Sequence, residues 1–474
     1  MDGQDEEAAM KWCRRTGQWG NGTEQHFRTF FRMLQDVAIA PEDLAVGKEI
    51  GKGTFGSINR AMLNGRAVAA KFVSKDVMSS PKPLSQVLHE LMLELRVVKA
   101  LDHPSVCQFL GAAASFPGSK ESQRDWRIGL VFELCSQGDL RKLLDQKRVF
   151  SLSQKLMMAA DIAKGVAYLQ SQSIVHRDLS SRNLLITADG HVKICDFGCA
   201  RIMTQYSYKP SFVSGSPPWM APEQIFGQPI TLAVDIFAFG AILWELLTGQ
   251  MPFARRMGTV GLDGLQRMCR NESPLPPPSD AVLGNLDAES RASIRRLIIH
   301  AHHTNPALRP CAEQVQQIAE SIYKRHDRTG RRDSGKDHVQ VVREIEYRAE
   351  LGKRMIAFYG KHNPKQLASS EAIFQLLAQY SDDLDGYNMS LRKRYNLDLN
   401  SIPGVAPLVH PGGSTGSNNR VVSGKASKQN GTHESSSSAL LSAVHPRNNL
   451  NSPPATSQAA VGLSLDSLRN SISS

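Results

Sequence analysis

Hydrophobic positions alternate along short segments in the first third of this chain. Between residues 43 and 73, the segments LAVGKEIG, SINRAML and AVAAKFV are predicted strands, and Asn64-Gly65 supplies a two-residue hairpin turn between the last two. A helical pattern follows in LSQVLHELMLELRVVKAL, and VCQFLGAAA and RIGLVFEL are two further predicted strands. This part of the chain therefore predicts a sheet accompanied by one helix.

The hydrophobic period changes to that of helices after Gly138. Helical patterns appear in DLRKLLDQ, SQKLMMAADIAKGVAYLQ, VDIFAFGAILWELLTG and SIRRLIIHAHH. A strand-rich segment followed by a helix-rich one is typical of an α+β protein with two lobes.

Shorter patterns divide the chain into five regions. Residues 1–42 form an N-terminal extension, in which EQHFRTFFRMLQDV predicts one helix that caps the next domain. The two-lobed domain covers residues 43–324, and a basic linker covers residues 325–337. Residues 338–400 form a helical extension, whereas the Ser- and Asn-rich tail at 401–474 is predicted to be disordered.

The helical extension carries enough apolar surface for a small bundle, or for a face that docks on the preceding domain or on a protein partner. Its apolar residues are Ile345, Met355, Phe358, Tyr359, Ile373, Leu376, Leu377, Tyr380, Leu384, Leu391 and Tyr395.

Composition narrows the class of protein. The net charge is +11, and much of the visible clustering of basic residues lies outside the central domain, which indicates a solvated basic linker, and no nucleic-acid partner is expected. Seven scattered cysteines without CxxC spacing predict reduced thiols in a cytoplasmic or nuclear protein. No apolar run reaches the length of a transmembrane segment, roughly 20 residues.

The segment GKGTFG places glycines at positions 51, 53 and 56, directly after a predicted strand. Dinucleotide-binding loops use the same spacing, but they open a helix. Here a strand and a hairpin follow, which favours a β-turn-β flap over phosphates. Glycine suits this role because it lets backbone amides approach phosphate oxygens.

Charged and amide side chains follow at positions suited to nucleotide chemistry. Lys71 ends a predicted strand, and Glu94 on the next helix can pair with it. In HRDLSSRNLLI, Asp178 and Asn183 bracket a short loop, and Asp196 lies in ICDFGCA. A carboxylate can receive a hydroxyl proton, while an amide oxygen and a second carboxylate suit magnesium.

These motifs, together with MAPE at residues 220–223, resemble the signature of the protein kinase family in order and spacing. The resemblance covers residues 43–324 and implies the bilobal kinase fold, with a β-rich N-lobe and a helical C-lobe. It implies ATP and Mg²⁺ as cofactors and protein substrates as partners. Asp178 becomes the catalytic base, Lys71 and Glu94 position phosphates, and Asn183 and Asp196 bind magnesium.

The resemblance also implies an adenine pocket. Ile58, Ala69 and Leu185 would sandwich the base, the backbone of Glu133 and Cys135 would bind its edge, and Phe132 would form the back wall. The full set of implied nucleotide contacts is Ile50, Gly51, Lys52, Gly53, Thr54, Phe55, Gly56, Ile58, Ala69, Lys71, Phe132, Glu133, Cys135 and Leu185.

Other matches imply structural roles. Asp235 resembles the helix aspartate that anchors the catalytic loop, and Glu223 with Arg309 resembles the ion pair that braces the substrate platform. The implied apolar spine consists of Val98, Phe109, His176 and Phe197.

The type of kinase is indicated by mixed signals. Ser180 stands where serine/threonine kinases usually carry lysine. Arg182 matches tyrosine kinases, whose arginine at this position has a similar phosphate-facing role, so the resemblance adds Arg182 to the implied catalytic residues. By contrast, GSPPWMAPE places Ser216 as serine/threonine kinases place threonine. The combination resembles the tyrosine-kinase-like group, which mostly phosphorylates serine or threonine. A tyrosine or dual-specificity kinase and a pseudokinase scaffold are the alternatives.

The segment from Asp196 to Glu223 is rich in hydroxyl groups that regulation could use. Arg177, with Arg201, is expected to bind a phosphate placed there. The alternative is that hydroxyl residues simply suit an exposed loop. The candidate sites are Thr204, Tyr206, Ser207, Tyr208, Ser211, Ser214 and Ser216.

Overall fold

A computed structural model of the chain describes residues 23–53, 56–73, 84–115, 127–253, 275–327, 338–367 and 370–400, together with residues 7, 10, 408, 410 and 411. All of these belong to one compact unit. The strands are β1 (Leu44–Gly53), β2 (Gly56–Leu63), β3 (Arg66–Phe72), β4 (Phe109–Ser115), β5 (Arg127–Glu133), β6 (Ile174–Val175), β7 (Leu184–Ile186), β8 (Val192–Ile194) and β9 (Arg201–Ile202).

The helices follow in chain order. They are α1 (Thr23–Gln35), α2 (Leu84–Lys99), α3 (Leu140–Asp145), α4 (Leu152–Ser171), α5 (Pro222–Ile225), α6 (Ala233–Thr248), α7 (Asp280–Leu283), α8 (Ala288–Ala301), α9 (Ala312–Asp327), α10 (His338–His362), α11 (Ser370–Tyr380) and α12 (Leu384–Tyr395).

The first lobe is built on an antiparallel sheet with the strand order β1-β2-β3-β5-β4. Asn64 and Gly65 join β2 to β3 with φ values of 47° and 80°, and such a turn needs residues that accept positive φ. Helix α2 carries Glu94, and the predicted helix α1 packs against it. The side chains of Phe27 and Phe31 are buried there, so α1 extends the core of this lobe.

The second lobe is helical and surrounds α6, whose side chains are buried along nearly its whole length. Ser151 caps the start of α4 and exchanges hydrogen bonds with Gln154. Short strand pairs, β6 with β9 and β7 with β8, flank the loops at residues 176–183 and 195–200. The α+β class with a strand-rich and a helix-rich lobe is confirmed.

The C-terminal helices pack directly on the second lobe. Val341, Val342 and Ile345 of α10 join the same core as α8 and α9, and Arg296 pairs with Glu346 at 3.0 Å. A second core then unites the three helices with the Pro306–Leu308 turn of the lobe. Its buried residues are Ala307, Leu308, Tyr347, Leu351, Met355, Phe358, Tyr359, Ile373, Leu376, Leu377, Leu384, Tyr387, Leu391 and Leu399.

Helix α9 continues to Asp327, beyond the predicted domain end at residue 324. The rest of the predicted linker, 328–337, and almost all of the predicted disordered tail, 401–474, lie outside the described residues. Within the described ranges, no helix has both the length and the apolar character that crossing a bilayer demands.

Candidate active site

The register of the sheet aligns the glycine-rich segment with the predicted lysine. Gly51 of β1 pairs with Ile58 of β2, and Ile58 pairs with Lys71 of β3. Gly53 and Gly56 pair at the end of the same hairpin, whereas Thr54 and Phe55 lie outside the described residues. The glycine segment therefore connects β1 to β2, and the lysine lies on β3, the next strand of the sheet.

Lys71 is bound by two carboxylates. Its Nζ lies 2.7 Å from Glu94 Oε1 and 2.8 Å from Asp196 Oδ1. Burial alone would lower the pKa of Lys71, but the two carboxylates outweigh it and hold the pKa above its usual range. Burial likewise opposes ionisation of Asp196, yet the ammonium lowers the pKa of that carboxyl. The lysine is therefore a fixed cation, and Asp196 is ionised beside it.

The predicted base and metal ligand are joined within the catalytic loop. Asn183 Nδ2 donates to the backbone oxygen of Asp178 at 2.8 Å and to its Oδ2 at 3.1 Å. Burial raises the pKa of Asp178, and the nearby Ser216 hydroxyl offsets part of that rise. Asp178 Oδ1 is buried and has no hydrogen-bond partner among the described residues. One carboxylate oxygen of Asp178 is thus left without a donor in the described part of the chain.

Asp235 of α6 holds the backbone that leads into this loop. Its Oδ2 accepts the His176 N–H at 2.7 Å, and its Oδ1 accepts the Arg177 N–H at 3.0 Å. Arg177 has a φ of 69°, an unfavourable conformation for a residue with a side chain. The anchoring geometry expected for Asp235 is therefore present.

The segment after β8 contacts the same loop. Asp196 has a φ of 61°, and the Phe197 ring meets the His176 ring edge-on, with centroids 5.0 Å apart. His176 Nε2 also lies 3.0 Å from the Cys195 carbonyl oxygen. These contacts assemble the lower part of the predicted apolar spine, while Phe109 packs edge-on against Phe132 at 5.6 Å.

The predicted adenine pocket lies where β3 and β5 meet. Ala69 pairs with Phe132, and Ile58, Ala69 and Leu185 are all only partly buried. The Glu133 N–H already donates to the Gln108 carbonyl at 3.0 Å. In a hydrogen bond with an adenine edge, Glu133 must therefore be the acceptor through its carbonyl oxygen, which the Cys107 thiol approaches at 3.7 Å.

The Cys135 N–H is better placed to serve as a donor, since it has no backbone acceptor within the described ranges. The side chain of Glu133 has a structural use instead, because Lys193 Nζ lies 2.8 Å from its Oε1.

A buried ion pair braces the platform after the activation segment. Arg309 Nη1 and Nη2 contact Glu223 Oε1 and Oε2 at 2.6 and 2.8 Å, so the expected pair is present and bidentate. The guanidinium also donates to the backbone oxygen of Ala233 at 3.0 Å.

A second buried carboxylate was missed by sequence reasoning. Glu245 of α6 accepts hydrogen bonds from Arg141, from the Ser181 hydroxyl at 2.9 Å and from Trp219 Nε1 at 2.8 Å. Burial outweighs these partners and raises the pKa of Glu245 to about 7. The network ties α3, the catalytic loop and the platform together. Its only sequence signal was an acidic residue inside an apolar helix.

The arginines predicted for control differ in their contacts. Arg177 Nη2 donates to Ser214 Oγ at 2.5 Å, and its guanidinium lies 5.6 Å from the Tyr208 ring centroid. Arg201 Nη1 donates to the backbone oxygen of Ala200 at 2.6 Å. Arg182 is exposed and makes no hydrogen bond or ion pair to any residue in the described part of the chain.

The comparison with known families agrees with this geometry. The protein kinase domain model matches residues 44–319, so this chain belongs to the protein kinase family. The tyrosine-kinase-like assignment is likewise confirmed by its relatives.

Three relatives illustrate the classes of protein kinase to which this chain is similar. The serine/threonine-protein kinase CTR1 of Arabidopsis thaliana is 35% identical over 220 residues, which is 46% of this chain and 26% of the relative. The dual specificity protein kinase shkD of Dictyostelium discoideum is 32% identical over 281 residues, which is 58% of this chain and 34% of the relative. The serine/threonine/tyrosine-protein kinase HT1 of Arabidopsis thaliana is 31% identical over 279 residues, which is 58% of this chain and 66% of the relative. The chain therefore spans between 26% and 66% of the length of these relatives.

Proposed function

We propose that this chain is a catalytically active kinase that transfers the γ-phosphate of ATP to serine or threonine hydroxyls of protein substrates. The observation that carries the proposal is the pairing of Lys71 with both Glu94 and Asp196, together with the unpartnered buried oxygen of Asp178. A lysine, a loop carboxylate and an acidic metal ligand in one cleft are what phosphoryl transfer requires.

The chemistry follows from these positions. The substrate hydroxyl oxygen attacks the γ-phosphorus, the bond to the β,γ-bridging oxygen breaks, and ADP leaves. Asp178 accepts the hydroxyl proton, and its burial makes the carboxylate a stronger base. Lys71 balances the negative charge of the phosphates, and Glu94 keeps its ammonium in place.

Magnesium is part of the proposal because the donor set suits it. The Asn183 amide nitrogen donates to Asp178, so the amide oxygen Oδ1 of Asn183 is left to bind a cation. Asp196 would contribute a second oxygen ligand. Mg²⁺ favours such a sparse oxygen set completed by phosphates and water, and when bound it would neutralise charge on the phosphates.

Serine/threonine preference is supported by Ser216, whose hydroxyl lies beside Asp178 as the platform pattern predicts. A tyrosine or dual-specificity kinase is the second candidate, since two of the relatives carry such names. A pseudokinase scaffold is less well supported because the lysine, the base and both metal ligands are all present.

The proposal also covers the cellular location of the kinase, its control and its partners. Free thiols at Cys107, Cys135, Cys195, Cys199 and Cys311 support a cytoplasmic or nuclear location and a role in signalling. A phosphate on the activation segment could pair with the Arg177 guanidinium, which supports control by phosphorylation. A protein partner for the C-terminal helices has less support, because most of their apolar residues are buried against the lobe and each other.

Asp178→Asn tests the catalytic assignment. With ATP, magnesium and a peptide library, the parent should phosphorylate serine and threonine peptides, and the variant should lose about 10²–10⁴-fold in turnover. Asp189→Asn makes the same chemical change at an exposed loop and should keep the parental rate. Equal turnover by Asp178→Asn and the parent would disprove the role of this carboxylate, and tyrosine-only labelling would replace the stated specificity.

A further inference from the structure

The activation segment makes an aromatic contact with the C-terminal extension. The ring of Tyr206 packs against Phe374 of α11, with centroids 5.0 Å apart and planes inclined at 38°. The guanidinium of Arg348 on α10 lies 5.4 Å from the centroid of the same Phe374 ring. A residue of the kinase domain is thus held by a surface that the kinase family match, ending at residue 319, does not include.

Tyr206 lies between two backbone tethers. On one side the Met203 N–H donates to the Ser173 carbonyl at 2.7 Å, and on the other Tyr208 exchanges hydrogen bonds with Ile230 at 2.9 and 3.1 Å. Strand β9, just before Met203, pairs with β6, which leads into the catalytic loop. The contact therefore holds the segment between Met203 and Tyr208, and this segment links the extension, through β9 and β6, to the catalytic loop.

The contact borders a cavity of about 460 Å³. Met203, Tyr206, Ile236, Arg348 and Phe374 are among its lining residues, so the kinase lobe forms one side and the extension the other. This unfilled space lies beside the aromatic pair, so the Tyr206 ring is not packed on all sides.

The surroundings of the Tyr206 hydroxyl disfavour negative charge. Burial, then the Glu371 carboxylate one turn before Phe374, raise the pKa of Tyr206 to about 12, and Arg348 offsets only part of this effect. A phosphate carries a charge of about −1.5 to −2, and it disrupts an interface when it is placed beside a carboxylate in a partly apolar contact.

We propose that Tyr206 is a phosphorylation site whose modification releases the activation segment from the C-terminal extension. In the modifying reaction the Tyr206 hydroxyl oxygen attacks the γ-phosphorus of ATP, held by a kinase that accepts tyrosine. The bond to the β,γ-bridging oxygen breaks, ADP leaves, and the phenolic proton passes to the base of that kinase.

Release lowers the activity of this chain. The Tyr206–Phe374 contact lies on the segment that continues from β9, and β9 pairs with β6, which leads into the catalytic loop, so we expect loss of the contact to disturb that loop. The inference concerns control of the proposed kinase activity and rests on that proposal in this respect alone.

Amide hydrogen exchange in the full chain tests the release without any catalysis. The Met203 and Tyr208 amides should exchange about two- to tenfold faster when phosphotyrosine is incorporated at position 206. Phe374→Ala should give a similar increase in the unmodified chain. Met389→Ala removes an exposed apolar side chain from α12 and should leave both amides unchanged.

Two further variants separate the charge from the ring. Tyr206→Phe keeps the ring and should keep the slow exchange. Glu371→Gln, combined with phosphotyrosine at 206, should return the exchange part of the way, because the repelling carboxylate is gone. Unchanged or slower exchange in the phosphorylated chain would overturn the proposal, since Arg348 would then be binding the phosphate in place.

Turnover measured on the same proteins separates this proposal from the proposed function. Phosphotyrosine at 206 and Phe374→Ala should lower kcat, whereas Tyr206→Phe and Met389→Ala should not. A parent without phosphotransfer defeats the proposed function, yet the exchange rates still decide whether modification releases the segment.

Discussion

Asp235 Oδ1 accepts the backbone N–H of Arg177 at 3.0 Å, at the residue immediately before the proposed base. Arg177 is held in a left-handed conformation with a φ of 69°. The aspartate carboxylate compensates for this unfavourable backbone from the buried centre of the second lobe. The position of Asp178 therefore depends on a helix that does not itself line the cleft.

Replacing this carboxylate should misplace the base. Asp235→Asn leaves one acceptor oxygen for two backbone N–H groups, so we expect a loss of about 1–3 kcal/mol in the free energy of unfolding. We also expect kcat to fall by about 10²-fold, since misplacement of reacting groups is costly. Urea unfolding and steady-state kinetics measure the two effects.

Asp161→Asn is the matched control. Asp161 is also buried, and its Oδ2 accepts the Val192 N–H at 3.2 Å and lies 2.7 Å from His191 Nδ1. It should lose similar stability but little kcat. A comparable fall of kcat in both variants would show that Asp235 acts only through stability.

Phe132→Gly should open the back of the adenine pocket. The ring packs edge-on against Phe109, and its removal leaves space behind the pocket. The variant is expected to use ATP analogues with bulky N6 substituents that the parent rejects, and to lose up to about 3–5 kcal/mol of stability. Competition assays with the analogues check this, and equal use by both proteins would refute the placement of Phe132.

Breaking the Arg141–Glu245 pair should lower the free energy of unfolding by an amount that depends on pH. The pKa of Glu245 in the folded protein is about 7, above its unfolded value, so its protonated form is favoured by folding. The associated stability is present at low pH and is lost as the pH rises towards 7. Arg141→Met raises this pKa further, so the loss continues above pH 7 in the variant only.

We therefore expect Arg141→Met to cost about 3–5 kcal/mol at pH 9 and clearly less at pH 6. Thermal or urea unfolding at the two pH values measures the difference. Arg295→Met breaks an exposed pair with Asp280 and should change little at either pH. A cost for Arg141→Met that does not vary with pH would mean that Glu245 is not the group responsible.

Gly352→Ala tests the packing of the extension on the lobe. A Cβ at this position would lie 2.2 Å from Leu308 Cδ2 and 3.2 Å from Leu377 Cδ1, and both leucines are buried. We expect a loss of about 1–3 kcal/mol by overpacking. Gly360→Ala on the same helix meets only Leu367 Cδ1, at 3.9 Å, and should gain up to about 1 kcal/mol. Equal effects in the two variants would contradict the described contact.

Arg182 is predicted to supply the positive charge that Ser180 lacks. Its exposed guanidinium is available to a phosphate, so Arg182→Ala should reduce kcat strongly. Ser180→Lys in that background should recover part of the loss. Exposed Arg148→Ala is the control and should keep the parental rate. Unchanged kinetics in Arg182→Ala would remove this residue from the catalytic set.

Sequence reasoning succeeded where the signal was local. The alternation around Lys71, the Asn64-Gly65 turn and the motif around Asp178 each lie within a few residues, and the structure has the predicted elements at those places. Helix α9 was missed although Val315, Ile318 and Ile322 have helical spacing.

Contacts between distant segments could not be predicted in this way. The second ion pair of Lys71, with Asp196, depends on how the two lobes meet. The Glu245 network joins α6 to α3 through Arg141, and the contact of Tyr206 with Phe374 depends on the path of α11 across the lobe. Residue type and spacing do not encode these relationships, because they arise only when separate elements pack.

The shared core of α8, α9 and α10 has a consequence for how the protein melts. Val341, Val342 and Ile345 cover apolar surface that α8 and α9 would otherwise present to water. Neither part can lose its structure without exposing the interior of the other, so the helical lobe and the C-terminal helices should denature cooperatively. Calorimetry should accordingly show one endotherm for both, with the extension acting as a folding partner of the catalytic lobe.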